Sequence, residues 1–453
     1  MTNLTGLVED IIKELTRLET VPMSERSSED EFSLPRMIDA GNGGSLIVSR
    51  KVDEDIERVA RKLMDDDPSL KPKVTQAEWR AMVRRAFGPA LVSIDLDDDL
   101  AANASIVINR LKASLGRDVS GNGVREYAFG CTLFGNSKVP PFAIGPVRFE
   151  TREAWLARKH SENGISALAR DRIERAWQGK KLRKRKPSFD SINESDIISA
   201  VDGCPFVCSV TTEGLAAEAG REKALTAARL ATTAIALTWQ TPSKALEGIN
   251  LVFDRKPHRQ KTLTFTPGSR VLASSTWSHR PFGPPLKPDE WKNVLSERAD
   301  IFAVVGEVLA YVISPTGAVS RPKMMSALAH ALIWFHEACR ETVTHMGIVN
   351  FSASLDALAC GGKSGGIRRL INARLKIQDD KPIRKGGPTL KSAIDRIYSD
   401  GRSRTIHGTN TEFGNDWSDT RALAEQFARL CLIFCLDWVA KNPTADDPKQ
   451  LSV

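Results

Sequence analysis

The chain lacks any long apolar run. No stretch approaches the ~18 consecutive apolar residues that a membrane-spanning helix needs. Residues 1–9 also lack the continuous apolar core of a signal peptide. We therefore expect a cytoplasmic protein that has no membrane partner.

The chain also lacks a set of cysteines that could pair completely. It has seven cysteines, and Cys339, Cys431 and Cys435 fall inside helical apolar patterns, which favours reduced thiols. Cys204 and Cys208 have the spacing of a metal or redox pair, but no second Cys or His pair lies near them. A buried strand is the favoured interpretation and a zinc site the alternative. We expect no metal and no other cofactor.

The length and composition predict a globular protein of several domains. Its 453 residues exceed what one hydrophobic core usually supports, and its 41% apolar and 26% charged residues are typical of folded proteins rather than disordered ones. We expect a mixed α+β, mainly helical fold. It divides into a mostly helical region with a small β element over 1–187, an α+β middle domain over 188–288 and a helical bundle over 289–445. The first region has an expected sensing or regulatory role.

Apolar periodicity supports this division. Short apolar runs between Gly and Pro clusters over 127–149 predict a hairpin or small sheet, and an Ala-rich helix is expected over 221–239. Strands are expected at 205–210, 251–253, 263–265 and 271–277. The Pro-rich segment 281–288 marks the last boundary, because proline lacks the backbone N–H that regular structure uses. The sequence beyond it predicts four or five helices.

Positive charge is concentrated in two places. Lys and Arg number 64 against 56 Asp and Glu, and the window 363–408 alone carries twelve Lys or Arg against four Asp. Such clustering indicates a polyanionic partner such as RNA. The run 180–186 holds six cations in seven residues; a solvated linker is the first interpretation and an RNA-backbone contact the alternative. The candidate RNA contacts are Lys180, Lys181, Arg183, Lys184, Arg185, Arg368, Arg369 and Arg404.

One motif lies between the last two expected helices. Residues 397–408 read Ile-Tyr-Ser-Asp-Gly-Arg-Ser-Arg-Thr-Ile-His-Gly. An Arg followed by a small polar residue and, five positions after the Arg, a His resembles the signature of HEPN domains, and the surrounding wording is similar to their Apea-like branch. The resemblance covers the last third of the chain. It implies a metal-independent endoribonuclease of the kind found in bacterial defence, and a homodimer in which two motifs share one cleft.

The chemistry of the motif agrees with that implication. Five helical steps of about 100° leave Arg402 and His407 some 140° apart, so we expect a bend, which the flanking Gly401 and Gly408 permit. A His can take the proton of a ribose 2′-OH, and an Arg can stabilise the extra charge of the phosphorane. This cleavage leaves a 2′,3′-cyclic phosphate. Ser403 is expected to help position the backbone.

An acidic partner is also expected. Asp356 stands in a Leu-acid-x-Leu context where the relatives that the chain resembles carry an acid, often Glu, and it could orient the Arg and His; a plain surface aspartate is the alternative. His345 could approach the same cleft. Residues 360–366 end like a phosphate-binding loop, but the first glycine of that motif is missing, so we expect a flexible glycine loop instead. The acidic run 95–99 is expected to begin a helix rather than to bind Mg²⁺.

The leading hypothesis is a toxin-like or antiphage RNase whose residues 1–288 sense a phage-derived trigger or restrain the HEPN dimer; an antitoxin is a further possible partner. Two alternatives stay open. An Arg and a His at this spacing occur by chance in many chains, so the bundle could be a non-catalytic module that only dimerises or binds RNA. It could also be a regulatory partner that neutralises another toxin.

Overall fold

The structure, a computed structural model, describes residues 3–22, 36–96, 98–135, 138–254, 259–265, 267–268, 272–277, 283–314 and 316–453. Helix accounts for 62% of it and strand for 9%, which confirms the mixed α+β, mainly helical fold class. The chain divides into two compact units. The N-terminal unit comprises Met1–Arg125, Thr212–Lys223 and Ser314–Thr316, and the C-terminal unit comprises Glu126–Thr211, Ala224–Ile313 and Gly317–Val453.

The N-terminal unit packs four helices around an antiparallel hairpin. Its elements are α1 (Leu4–Thr20), β1 (Arg36–Asp39), β2 (Ser45–Val48), α2 (Arg50–Asp66), α3 (Gln76–Leu91) and α4 (Leu100–Ser120). A capping box formed by Thr75 and Glu78 starts α3, and the indole of Trp79 donates to the Ala60 carbonyl at 2.8 Å, which ties α3 to α2. Asp99 accepts from the Ala102 amide and caps α4, as expected for the acidic run; Asp97 lies outside the described residues.

A five-stranded sheet with the order β4-β5-β6-β3-β7 opens the C-terminal unit. Its strands are β3 (Arg125–Thr132), β4 (Phe142–Ile144), β5 (Val147–Thr151), β6 (Phe206–Thr212) and β7 (Asn250–Leu251). The predicted small sheet near 127–149 and the strand near 205–210 are thereby confirmed. Cys208 lies on β6 and is buried, as is Cys204 just before that strand, which supports the buried-strand interpretation.

Short helices and a second hairpin accompany this sheet. They are α5 (Arg152–Ser161), α6 (Ala167–Trp177), α7 (Phe189–Val201), α8 (Ala217–Ala236), α9 (Pro242–Gly248), β8 (Arg259–Thr264) and β9 (Leu272–Trp277). The first residues of α8 belong to the N-terminal unit. The expected strand at 251–253 is shorter than predicted, because Val252–Asp254 forms a 3₁₀ turn.

The C-terminal part of this unit contains helices joined by turns and loops, the longest of them over 376–389 and 407–417. Its helices are α10 (Pro288–Glu297), α11 (Ala299–Ile313), α12 (Pro322–Arg340), α13 (Thr344–Leu358), α14 (Lys363–Leu375), α15 (Leu390–Asp395), a π-helical segment (Arg396–Ser403), α16 (Arg404–Ile406) and α17 (Ser418–Lys441). The expectation of a flexible loop over 360–366 is wrong for its second half. Gly365 and Gly366 lie in α14, where a Cβ on Gly366 would stand only 2.0 Å from the Gly361 carbonyl oxygen.

The sheet and these helices share one hydrophobic core. A single cluster of packed, buried side chains includes residues from Phe129 on β3 to Leu451 near the C-terminus. Trp291 of α10 packs against the rings of Phe134 and Phe302, with centroids 4.9 and 6.0 Å apart. The compact units therefore do not coincide with the expected ranges 1–187, 188–288 and 289–445, because the middle strands complete the core of the C-terminal helices. Residues 281 and 282 of the expected last boundary lie outside the described residues.

All seven cysteines lie in described segments, and none of them forms a disulfide with another. Within the segments that the structure covers, no group of three or more His, Cys, Asp or Glu residues is placed to hold a metal ion, and no helix is both long and apolar enough to cross a bilayer.

Candidate active site

The segment with the Arg and His is wound as a π-helix. From Arg396 to Ser403 the turns are wider than in an α-helix, and α16 then resumes ordinary winding up to Ile406. The winding thus changes between Arg402 and His407, while the expected bend that would turn both side chains into one cleft stays a prediction. Gly401 is buried here, and a Cβ on it would stand 2.7 Å from Cγ2 of Ile348 on α13. Glycine is therefore required at this position by the close approach of α13.

Arg402 is held by groups on two elements. Its Nη1 donates to the Tyr398 hydroxyl at 2.8 Å, and its guanidinium carbon lies 4.9 Å from the centroid of the Tyr398 ring. Its Nη2 lies 3.7 Å from Oδ2 of Asp356 on α13. The side chain is one-quarter exposed. The arrangement fixes the guanidinium while leaving part of it open to solvent.

The carboxylate of Asp356 is half-buried beside this guanidinium. Burial raises its pKa above the usual aspartate value, and the charge of Arg402 opposes that rise. The structure thus brings Asp356 and Arg402 together, as the orienting role requires, although their separation is longer than a close ion pair. Burial also raises the pKa of Tyr398, so its hydroxyl stays protonated at neutral pH.

Several polar atoms of this cluster are buried without a hydrogen-bond partner in the described part of the chain. They are Nε of Arg402, Oδ1 of Asp356 and Oγ of Ser352, which stands one helical turn before Asp356. Buried polar atoms nearly always have partners in folded proteins, so a group of unsatisfied ones indicates a place that water or a ligand completes. The sequence analysis did not identify Tyr398 or Ser352. Helical spacing could have indicated both, because Tyr398 stands four residues before Arg402 and Ser352 stands four residues before Asp356.

His407 occupies the exposed end of α16. Its amide donates to the Ser403 carbonyl at 3.0 Å, and Gly408, with a φ of +67°, ends the helix directly after it. Any residue at position 403 would make this helical backbone bond, so the positioning role expected for Ser403 stays a prediction. The imidazole itself forms no hydrogen bond with Arg402, Asp356 or Tyr398. It faces solvent and is free to meet a substrate.

A ring cluster supports the loop that follows. His345 of α13 is buried, stacks on Phe413 at a centroid distance of 4.4 Å, and lies 5.3 Å from Trp417. Burial lowers the pKa of His345, so its ring is neutral. The guanidinium of Arg396 covers the Trp417 ring at 3.7 Å and pairs with Glu412 at 2.8 Å. His345 thus belongs to the packing of the loop and not to the exposed surface around His407.

A cavity of about 1020 Å³ borders the start of the π-helical segment. The segments α15 and α17 form its walls, and Arg396 and Asp400 from the π-helical segment line it. Cations and carboxylates both contribute, so its charge is mixed. Neither Arg402 nor His407 lines this cavity.

The expected RNA contacts fall into two groups. Arg368 pairs with Asp379 at 3.0 Å and Asp395 at 3.2 Å, and Arg185 pairs with the buried Glu194 at 3.0 Å. Both guanidinium groups are thus already paired with carboxylates of the fold. Arg404 pairs with Asp400 at 3.2 Å but stays half exposed. The remaining candidates, which are all exposed, are Lys180, Lys181, Arg183, Lys184 and Arg369.

Comparisons with known proteins yielded no match to any family model, curated protein or solved structure. The HEPN resemblance therefore depends on the motif at 397–408 and its position between the last two long helices.

Proposed function

We propose that this chain is a metal-independent endoribonuclease in which Arg402 and His407 act on one phosphate of RNA. The observation that carries the proposal is the environment of Arg402. Its guanidinium is held by Tyr398 and Asp356, has an unsatisfied buried Nε, and precedes by five positions an imidazole that is open to solvent. A fixed cation and an accessible proton acceptor on one short segment supply the two groups that metal-free RNA cleavage needs.

In the proposed reaction, His407 takes the proton of the ribose 2′-OH. The 2′-oxygen then attacks the adjacent phosphorus, and the bond from phosphorus to the 5′-oxygen of the next nucleotide breaks. Arg402 stabilises the additional negative charge on the phosphorane. The departing 5′-oxygen receives a proton from a His407 imidazolium, which a second copy supplies when two motifs share one cleft. DNA has no 2′-OH and is not cleaved.

The wider role follows from this activity. A cytoplasmic RNase of this kind acts as a toxin-like or antiphage effector, as a homodimer formed through the C-terminal helices. Residues 1–288 then respond to a phage-derived trigger or an antitoxin. The net charge of +8 over 363–408, from twelve cations and four aspartates, supports RNA as the partner of the C-terminal helices.

The test is cleavage of a labelled RNA in EDTA by the wild type and by Arg402→Ala and His407→Ala. His330→Ala is the matched control, because His330 is exposed on α12 and, among the described residues, its ring forms a hydrogen bond only with the Ser326 carbonyl of the same helix. We expect cleavage by the wild type and His330→Ala, and a loss of at least about 100-fold in the other two.

Toxicity in cells is compared in the same four proteins, because an RNase that awaits a trigger is silent in vitro. RNA binding without cleavage, together with equal toxicity of all four, would support the non-catalytic module instead. A DNA oligonucleotide of the same sequence, which should stay intact, controls for a contaminating nuclease.

A further inference from the structure

A second surface combines positive charge with exposed apolar side chains. It consists of α6, α7 and the connecting segment 178–188, and we call it the α6–α7 surface. Ser166, at the start of α6, donates to Asp190, at the start of α7, at 2.9 Å. Farther along, Arg172 pairs with Glu194 at 2.9 Å. The N-terminal ends of α6 and α7 are therefore adjacent, and the two helices run side by side in the same direction.

The connecting segment is held against these helices. Glu194 is buried and accepts from Arg172 while also pairing with Arg185 at 3.0 Å, and the second terminal nitrogen of Arg172 donates to the Arg183 carbonyl at 3.1 Å. A carboxylate shared by two guanidinium groups fixes the path of the segment. The basic run is therefore not a loose tether, and its other side chains are presented at defined positions.

Five cations of this run point to solvent with no ion pair to any described residue. They are Lys180, Lys181, Arg183, Lys184 and Lys186. Cations this close together repel one another, and no carboxylate of the described chain neutralises them. A polyanion does so and releases its own counterions on binding.

Exposed apolar side chains lie at the start of the same two helices. Phe189 is 78% exposed, Ile192 57% and Leu168 59%. A capping box formed by Ser188 and Ser191 begins α7 at Phe189, which places the ring at the first helical position. Since Lys186 precedes Phe189 by three residues, the ring stands at the end of the row of cations.

We propose that the α6–α7 surface binds single-stranded RNA, with its phosphates along the cations and one base stacked on Phe189. A ring beside a basic track is how proteins hold single strands without sequence preference. Bases inside a duplex are already stacked and offer no face to such a ring. This inference takes its ligand from the proposed function, and adds that the RNA is single-stranded and is held outside the candidate active site.

Other occupants fit this surface less well. An adsorbed membrane helix needs a long apolar face. Only the first turns of α6 and α7 expose large apolar groups, because Ile197, Ile198 and Val201 of α7 pack into a small core with Trp155 and Ile173. An acidic peptide would use the cations but would leave Phe189 without a function.

The experiment measures binding of a labelled, unstructured single-stranded RNA to the full chain carrying His407→Ala, which prevents cleavage. We expect Phe189→Ala to weaken binding about 5- to 100-fold, Phe189→Leu to weaken it similarly, and Phe189→Tyr to preserve it. Phe265→Ala is the matched control, because Phe265 is also exposed, at 69%, but lies outside this surface. Circular dichroism verifies that all variants are folded.

The contribution of the cations to RNA binding is measured by the salt dependence of the affinity. Replacing Lys180, Lys181 and Lys184 with Ala should reduce the slope of log affinity against log salt by about 2, because each phosphate contact on a single strand contributes roughly 0.7. Equal binding of a duplex of the same length, or no effect of Phe189→Ala, overturns the proposal. So does tighter, Phe189-dependent binding to phosphatidylserine vesicles.

The proposed function and the proposed RNA-binding surface can be refuted separately. If the wild type cuts no RNA and is no more toxic in cells than His407→Ala, but Phe189→Ala still weakens binding, the proposed function is wrong and this surface stands. If the wild type cuts RNA and Phe189 has no effect on binding, the surface is wrong and the proposed function stands.

Discussion

His336 of α12 is buried in a chain of polar groups that should make the stability of the C-terminal unit depend on pH. Its Nδ1 lies 2.7 Å from Oγ1 of Thr233, and its Nε2 accepts from Nε of Arg340 at 3.1 Å. Thr233 donates its own proton to the Arg229 carbonyl at 2.9 Å. The ring must therefore carry its proton on Nδ1 and be neutral, because a second proton would remove the acceptor that Arg340 uses.

The magnitude follows from the pKa of this ring. Burial, assisted by the charge of Arg340, lowers the pKa of His336 to about 3, against about 6.5 in an unfolded chain. Between these values the unfolded chain binds a proton that the folded chain does not. The free energy of unfolding is thus unaffected by this group above about pH 6.5 and decreases as the pH falls below it, by about 2 kcal/mol between pH 7 and 5.

The assay is urea unfolding of the wild type and of His336→Gln at both pH values, followed by far-UV circular dichroism. Gln keeps an acceptor and a donor but does not titrate. We expect the variant to be less stable at neutral pH and to lose about 2 kcal/mol less than the wild type on acidification. Equal losses in both proteins would refute the assigned protonation of His336.

Three further changes probe the site and its support. Tyr398→Phe removes the hydroxyl that holds Arg402, and should lower the RNA cleavage rate about 10-fold in a single-turnover assay while the melting temperature stays constant. Gly401→Ala places a Cβ 2.7 Å from Ile348, and should cost about 1–3 kcal/mol in urea unfolding; unchanged stability would show that α13 does not restrict this position. Trp291→Ala removes an indole that is only 1% exposed in the shared core, and should lower the free energy of unfolding by about 3–5 kcal/mol.

The fold was predictable wherever one face of an element is apolar. The periodic runs of α11, α12, α13 and α17 and the short apolar strands of the sheet all gave the correct element. The helix α14 was missed because Gly365 and Gly366 suggest a loop, and only the close approach of Gly361 shows why small residues are needed there. The shared core was also missed, since no local pattern indicates which faces meet.

The candidate site was predictable in part. The motif at 397–408 and its resemblance pointed to Arg402 and His407, whose catalytic role stays a prediction. The Leu-acid-x-Leu context pointed to Asp356, which does lie beside Arg402. The π-helical winding could not be foreseen, because no apolar pattern in 396–403 distinguishes it from α-helical winding. The ion pairs that occupy Arg368 and Arg185 were equally hidden, since their carboxylate partners are set by tertiary packing.

The most direct test of the central claim is the chemical identity of the RNA ends produced in EDTA. The account predicts 2′,3′-cyclic phosphate and 5′-hydroxyl ends from the wild type, and their loss in both Arg402→Ala and His407→Ala. Products with 3′-hydroxyl ends, or cyclic phosphate ends that persist undiminished in either variant, would contradict it.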